Sequence, residues 1–192
     1  IYPIIVFAGS ETKINVNQGY TEFMVKDLLG VHKNDFSNRS NYKIRKQNRL
    51  RRKLAYILLN PDPSVVWGLG LSFNKRLLDT CKDSEFILSS SPPESAHFAA
   101  YVLSKKLSIP LIVDLRDGWT DEPLKPILKK SKFRFMLERR LETRILNHAK
   151  TIFVTSNGWK DMLSKRLKTL EKKVYVLTNG YPNIDIEVKS GL

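Results

Sequence analysis

Two polar stretches of this chain combine residue types that can bind anions and move protons. The first is Ser90-Ser91-Pro92-Pro93-Glu94-Ser95-Ala96-His97 and the second is Asp114-Leu115-Arg116-Asp117-Gly118-Trp119. In the first, Ser91, Pro92 and Glu94 are spaced as a helix N-cap, a first-turn proline and the third-position partner of a capping box. Free N–H groups at such a helix start attract anions, and His97 stands one turn further in. Capping alone explains the spacing, and a lone helical histidine is commonly structural. A ligand-facing role for Ser91, Pro92 and His97 is the alternative. In the second stretch, charges follow an apolar run and cannot be buried unpaired without a large cost. Arg116 and Asp117 either pair locally and shape a loop, or act on a ligand. In the latter case Arg116 clamps a phosphate or carboxylate and Asp117 accepts a hydroxyl's hydrogen bond or proton. Trp119 completes this cluster as a further substrate contact.

Both stretches must be positioned by a sheet. Phe86-Ile87-Leu88 reads as a short buried strand, 92–106 as a helix, and Pro110 to Val113 as the next strand. A linker over 120–126 leads to a long helix over 130–149. Thr151 to Val154 is a strand, 159–170 a helix and 173–177 a final strand. Short strands alternating with helices imply βαβ units and a Rossmann-like α/β fold, with a mostly parallel sheet flanked by helices. Open sheets of this kind bind ligands beyond the carboxyl ends of their strands, where both polar stretches would lie. Upstream, Tyr2 to Ala8 is a strand, and 11–40 reads as a loop-rich excursion. A helix over 43–59 carries Arg49, Arg52 and Lys53 between its apolar positions, stopped by Asn60-Pro61-Asp62-Pro63. Residues 65–81 resume as one helix containing Trp67. One domain over 1–180 is expected, with 181–192 beginning a linker.

The 192 residues carry a formal net charge of +14, an excess that attracts phosphate in nucleic acid, at an anionic membrane face or on small molecules. No zinc finger or RNA-recognition motif accompanies the charge, which favours membrane over nucleic acid. The segment Lys129-Lys130-Ser131-Lys132-Phe133-Arg134-Phe135-Met136 mixes cations with bulky apolar groups, as an interfacial anchor does. Lys130, Phe133 and Phe135 therefore join Arg49, Arg52 and Lys53 as candidate membrane contacts. The single cysteine, Cys81, rules out an intrachain disulfide, and the three histidines show no zinc spacing. No apolar run approaches the roughly 20 residues needed to span a bilayer as a helix.

Pro61-Asp62 with Trp67, then Ser90 to His97, then Asp114 to Thr120 stand in an order that resembles the N-terminal, acceptor-binding half of a family 4 glycosyltransferase with the two-domain B-type fold. Glu138 to Glu142, Thr155-Ser156 and Thr178-Asn179-Gly180-Tyr181 extend the resemblance over about 60–181. It implies a retaining transfer of sugar from a nucleotide-diphosphate donor to an acceptor hydroxyl, without cofactor or metal. Ser91, His97, Arg116 and Asp117 would line the cleft, with Arg116 and Asp117 at the chemistry. Leu115 and Gly118 depart from the family's usual Phe and Pro, and Gly118 is expected to loosen the loop carrying Arg116 and Asp117. The family's first strand would precede Ile1, and its donor-binding domain would follow Gly180, so this chain alone is not expected to turn over.

The resemblance further implies a cytoplasmic enzyme of bacterial surface-polysaccharide synthesis. It would be peripheral on the inner membrane face, where positive charge meets anionic lipid and a glycan or lipid-linked acceptor. Two other functions stay open: a nucleotide-sugar epimerase of the same fold, and a non-catalytic basic domain binding anionic lipid or nucleic acid.

Overall fold

The computed structural model describes residues 3–9, 11–26, 61–62, 64–122 and 131–180. The helix expected over 43–59, with Arg49, Arg52 and Lys53, lies outside the described residues, as do Lys130 and the tail from 181.

The chain opens with a three-stranded sheet of β1 (Ile4–Gly9), β2 (Lys13–Asn17) and β3 (Tyr20–Lys26). β3 is central, parallel to β1 and antiparallel to β2. A loop-rich excursion was expected after β1, and the structure corrects this over 13–26. Ile14 and Val16 alternate with polar neighbours, and Gly19, at φ +92°, supplies the left-handed backbone of a tight hairpin. Phe23 and Val25 then point into a core with Leu71, Leu77, Cys81, Ala99 and Leu103.

Two short helices follow, α1 (Val65–Leu71) and α2 (Lys75–Cys81), where one was expected. Asn74 makes the break: its side-chain Oδ1 accepts from Leu77 N at 3.1 Å and starts the second helix. The Cys81 thiol is buried at the end of α2, and burial pushes its pKa up.

The second half is an all-parallel sheet in the order β4 (Ile87–Ser91), β5 (Leu111–Leu115), β6 (Thr151–Val154), β7 (Val174–Val176). The crossovers carry α3 (Ser95–Leu107), α4 (Lys132–His148) and α5 (Asn157–Arg166), the last continued by a 3-10 turn over Lys168–Lys173. Ser131 and Ser156 cap α4 and α5, accepting from Arg134 N and Trp159 N, each at 3.3 Å. Leu111, Val113, Leu115, Ile152, Val154 and Val174 pack with Ala100, Ile145, Leu146 and Leu163 of the helices. Val113, Ile145, Leu146 and Ile152 have no exposed surface. The opposite face bears Leu88 and Tyr175, 59% and 52% exposed, and no described helix covers it. β4 is therefore an edge strand open on one face, and the fully buried strand expected over 86–88 is not found.

Candidate functional site at the carboxyl edge of the parallel sheet

The ends of the parallel strands bring together side chains far apart in the sequence. Ser90 of β4 and Asp114 of β5 are register partners, and Ser90 Oγ donates to Asp114 Oδ2 at 2.8 Å. The Arg116 guanidinium lies 3.7 Å from the same carboxylate oxygen, and its Nη2 donates to Asn179 Oδ1 in the segment after β7. Thr155, just past β6, donates to the Arg116 carbonyl at 3.4 Å. All four strands thus contribute to one polar edge. The Arg116 side chain is 47% exposed, so its ion pair with Asp114 is weak and about half of the side chain stays open to solvent. Asp117 is exposed beside it and is not paired with Arg116, so the local ion pair of these two is absent. The ionic partner that Arg116 does have is Asp114, two residues earlier on the same strand face. In the sequence Ser90, Asp114 and Asn179 are quoted only as parts of their motifs, with no role of their own; the signal was the alternation that puts residues 114 and 116 on one face of an extended strand.

The first cluster is built differently from its expected capping box. α3 begins at Ser95, with Glu94 at its N-cap position making no side-chain cap, while Ser91-Pro92 and Pro92-Pro93 are cis. The backbone N–H of Ser95 is taken by Asp62 Oδ2 at 2.9 Å, and the other Asp62 oxygen accepts from Ser64 N at 2.8 Å. A carboxylate of the protein itself thus occupies the anion position at this helix start. The buried Arg134 donates to the Pro61 carbonyl at 3.0 Å, fixing the Pro61-Asp62 segment against α4.

Three of the expected substrate contacts are buried. His97 has no exposed surface; its Nδ1 is 2.8 Å from Ser89 Oγ and its ring lies 5.6 Å from that of Trp119. Trp119 is 1% exposed and donates Nε1–H to Glu138 Oε1 at 3.2 Å. Ser91 is 4% exposed, and of this group only Pro92 reaches solvent. Side chains enclosed in this way form the wall under the edge.

What holds the 116–121 loop is a buried polar network on α4 and α5. Glu142, 1% exposed, accepts from Thr120 Oγ1 at 2.5 Å and from Arg166 Nη2 at 2.8 Å. Arg166 Nε also lies 2.8 Å from Asp121. A buried carboxylate is tolerable only with such a cation and donors around it. Gly118 belongs to the same support. It is buried, and an added Cβ would stand 1.9 Å from Cη2 of Trp159. The glycine departure therefore makes room for an indole that packs over the loop, and the loosening expected from it does not follow.

On α4, Phe133 is 67% exposed and Met136 and Leu137 are each 40% exposed, at spacing that aligns them along one side. Phe135 is half-buried, its ring 5.4 Å from the Arg139 guanidinium. Phe135, Met136, Arg139, Arg140 and Arg144 border an open groove of about 700 Å³. At the far end of α4, His148 Nε2 is 2.8 Å from Ser104 Oγ. The His148 pKa is pushed down, first by burial and then by Lys105 and Lys173. Burial also lowers the Lys173 pKa, and its ammonium donates to the Asn147 and Ala149 carbonyls at 2.8 and 2.7 Å, closing the end of the helix.

Among the described residues no helix is long and apolar enough to cross a membrane, and no group of three or more His, Cys, Asp or Glu side chains is placed to hold a metal ion. No protein-family model matches the chain, and no curated protein matches it.

Proposed function

We propose that this chain is the acceptor-binding part of a retaining glycosyltransferase working at an anionic membrane surface. One observation carries the reading: a solvent-facing arginine, Arg116, is braced by Asp114 and Asn179 where four parallel strands end. A guanidinium so placed suits a phosphate or a developing negative charge, and the exposed Asp117 carboxylate beside it suits an acceptor hydroxyl. The resemblance through Pro61-Asp62, Ser90 to His97 and Asp114 to Thr120 supplies the reaction class. The exposed Phe133, Met136 and Leu137 beside Arg140 and Arg144 favour an anionic lipid face over a nucleic acid, because apolar groups insert among acyl chains and gain nothing from a phosphate backbone.

The test uses the full-length polypeptide in anionic vesicles containing a lipid-diphosphate acceptor, offered nucleotide-diphosphate sugars one at a time. Transfer from one donor with the anomeric configuration kept is the expected result. No transfer from any donor, or conversion of a donor to its epimer without acceptor, contradicts the proposal.

A further inference from the structure

Arg116 is held at both ends, and both holds come from the neighbouring strand ends. Its carbonyl accepts from Thr155 Oγ1 at 3.4 Å, and its Nη2 donates to Asn179 Oδ1. Thr155 directly follows Val154, the last residue of β6. The Val154 carbonyl in turn accepts from Leu177 N at 2.8 Å, which ties down the segment carrying Asn179 two residues before it. The backbone and the head group of one arginine are therefore referred to the same strand end. Asn179 does this from 63 residues further along the chain.

The head group needs such a hold. A long side chain that is 47% exposed gives up rotamer freedom when it settles on a ligand, and that cost falls if it is already oriented. The Asp114 carboxylate does not orient it. Asp114 Oδ2 lies 3.7 Å from Nη1, beyond hydrogen-bond length, and already accepts from Ser90 Oγ at 2.8 Å. Asp114 attracts the guanidinium; the hydrogen bond to Asn179 fixes the rotation of its planar fork.

A neutral amide suits this task better than an acid. Asp114 and Asp117 already stand on either side of Arg116 in the chain, and a third carboxylate would repel an anion approaching the guanidinium. Asn179 Oδ1 orients the fork and leaves its charge to the ligand.

We propose that Asn179 is the positioning residue of the edge site, holding the Arg116 fork in the pose that receives a phosphate group of the substrate. Through this contact the segment after β7 sets the reactivity of the loop after β5. The inference rests on the phosphate-binding role given to Arg116 above.

The test uses the full-length polypeptide, with inorganic pyrophosphate as the probe and sugar transfer in anionic vesicles as a second readout. Arginine-labelled NMR follows the Arg116 Nε–Hε signal, assigned by its loss in Arg116→Ala. Asn179→Ala should weaken pyrophosphate binding about tenfold and lower kcat by a similar factor, with Tm unchanged. Asn179→Asp should keep the Nε–Hε signal of the ligand-free parent yet bind pyrophosphate more weakly than the parent. In the Arg116→Ala background, Asn179→Ala should cost no further transfer activity, because it acts only through the arginine. Parental affinity and kcat in Asn179→Ala, an additive loss in the double variant, or a parent that does not bind pyrophosphate would each overturn the proposal. A parent that transfers no sugar while the pyrophosphate order holds would overturn the reaction proposed above and support the role of Asn179.

Discussion

The indole of Trp159 occupies the space that a side chain on residue 118 would need, its Cη2 only 1.9 Å from where a β-carbon of Gly118 would stand. A loop that carries two candidate functional charges is thereby clamped by an aromatic ring from the next crossover helix. Gly118→Ala must push the ring aside, an overpacking cost of about 1–3 kcal/mol in urea unfolding. In Gly118→Ala/Trp159→Ala the clash is gone, so the double variant should lose less stability than the sum of the singles. Additive losses would show that the two residues do not compete for the space.

The Glu142 carboxylate, 1% exposed, depends on Arg166 and Thr120. Arg166→Met strands that charge and should cost about 3–5 kcal/mol, whereas Glu142→Leu/Arg166→Met removes both charges and should cost markedly less. Equal losses in the single and double variants, by denaturant titration, would place the effect in packing instead of charge.

His148 gives the fold an acid sensitivity whose sign is fixed. Its pKa lies below the ordinary 6.5, first because of burial and then because Lys105 and Lys173 stand near. The unfolded chain then binds the proton more readily than the folded one. This contribution is present above pH 6.5 and is lost as pH falls through the lower folded value. His148→Gln keeps a donor for Ser104 Oγ but does not titrate, so its Tm should fall less than that of the parent between pH 7 and pH 5. Parallel Tm curves for the two proteins would remove His148 from the pH response.

If the exposed side of α4 meets lipid, Phe133→Asp should weaken cosedimentation with anionic vesicles by about tenfold at low salt and leave Tm unchanged, since Phe133 is 67% exposed. Undiminished vesicle binding would move the membrane contact elsewhere on the surface.

The parallel half of the fold was legible because its strands are continuous apolar runs, such as Leu111-Ile112-Val113, separated by amphipathic helices with serine caps at 131 and 156. The hairpin over 13–26 was missed because its polar partners, Lys13, Asn15 and Asn17, mask a two-residue alternation of only two apolar positions. The break in 65–81 turned on one residue, Asn74, whose side chain competes for the backbone. At the site, sequence spacing located Arg116 and Asp117 at the sheet edge. It could not tell that His97 and Trp119 turn inward, because that depends on which face of α3 and which side of the loop meet Ser89 and Glu138 across the fold. Asp62 is the reverse case: a residue quoted for its motif proves to be the cap that occupies the α3 start.

Sugar transfer by the full-length Arg116→Ala polypeptide, compared with the parent under identical vesicles and donor, tests the edge site most directly. The expected result is a fall in kcat/KM of about a hundredfold or more with Tm unchanged, partly restored in Arg116→Lys, since a lysine keeps the charge but not the fork. Parental kcat/KM in Arg116→Ala would contradict the assignment of the chemistry to this edge.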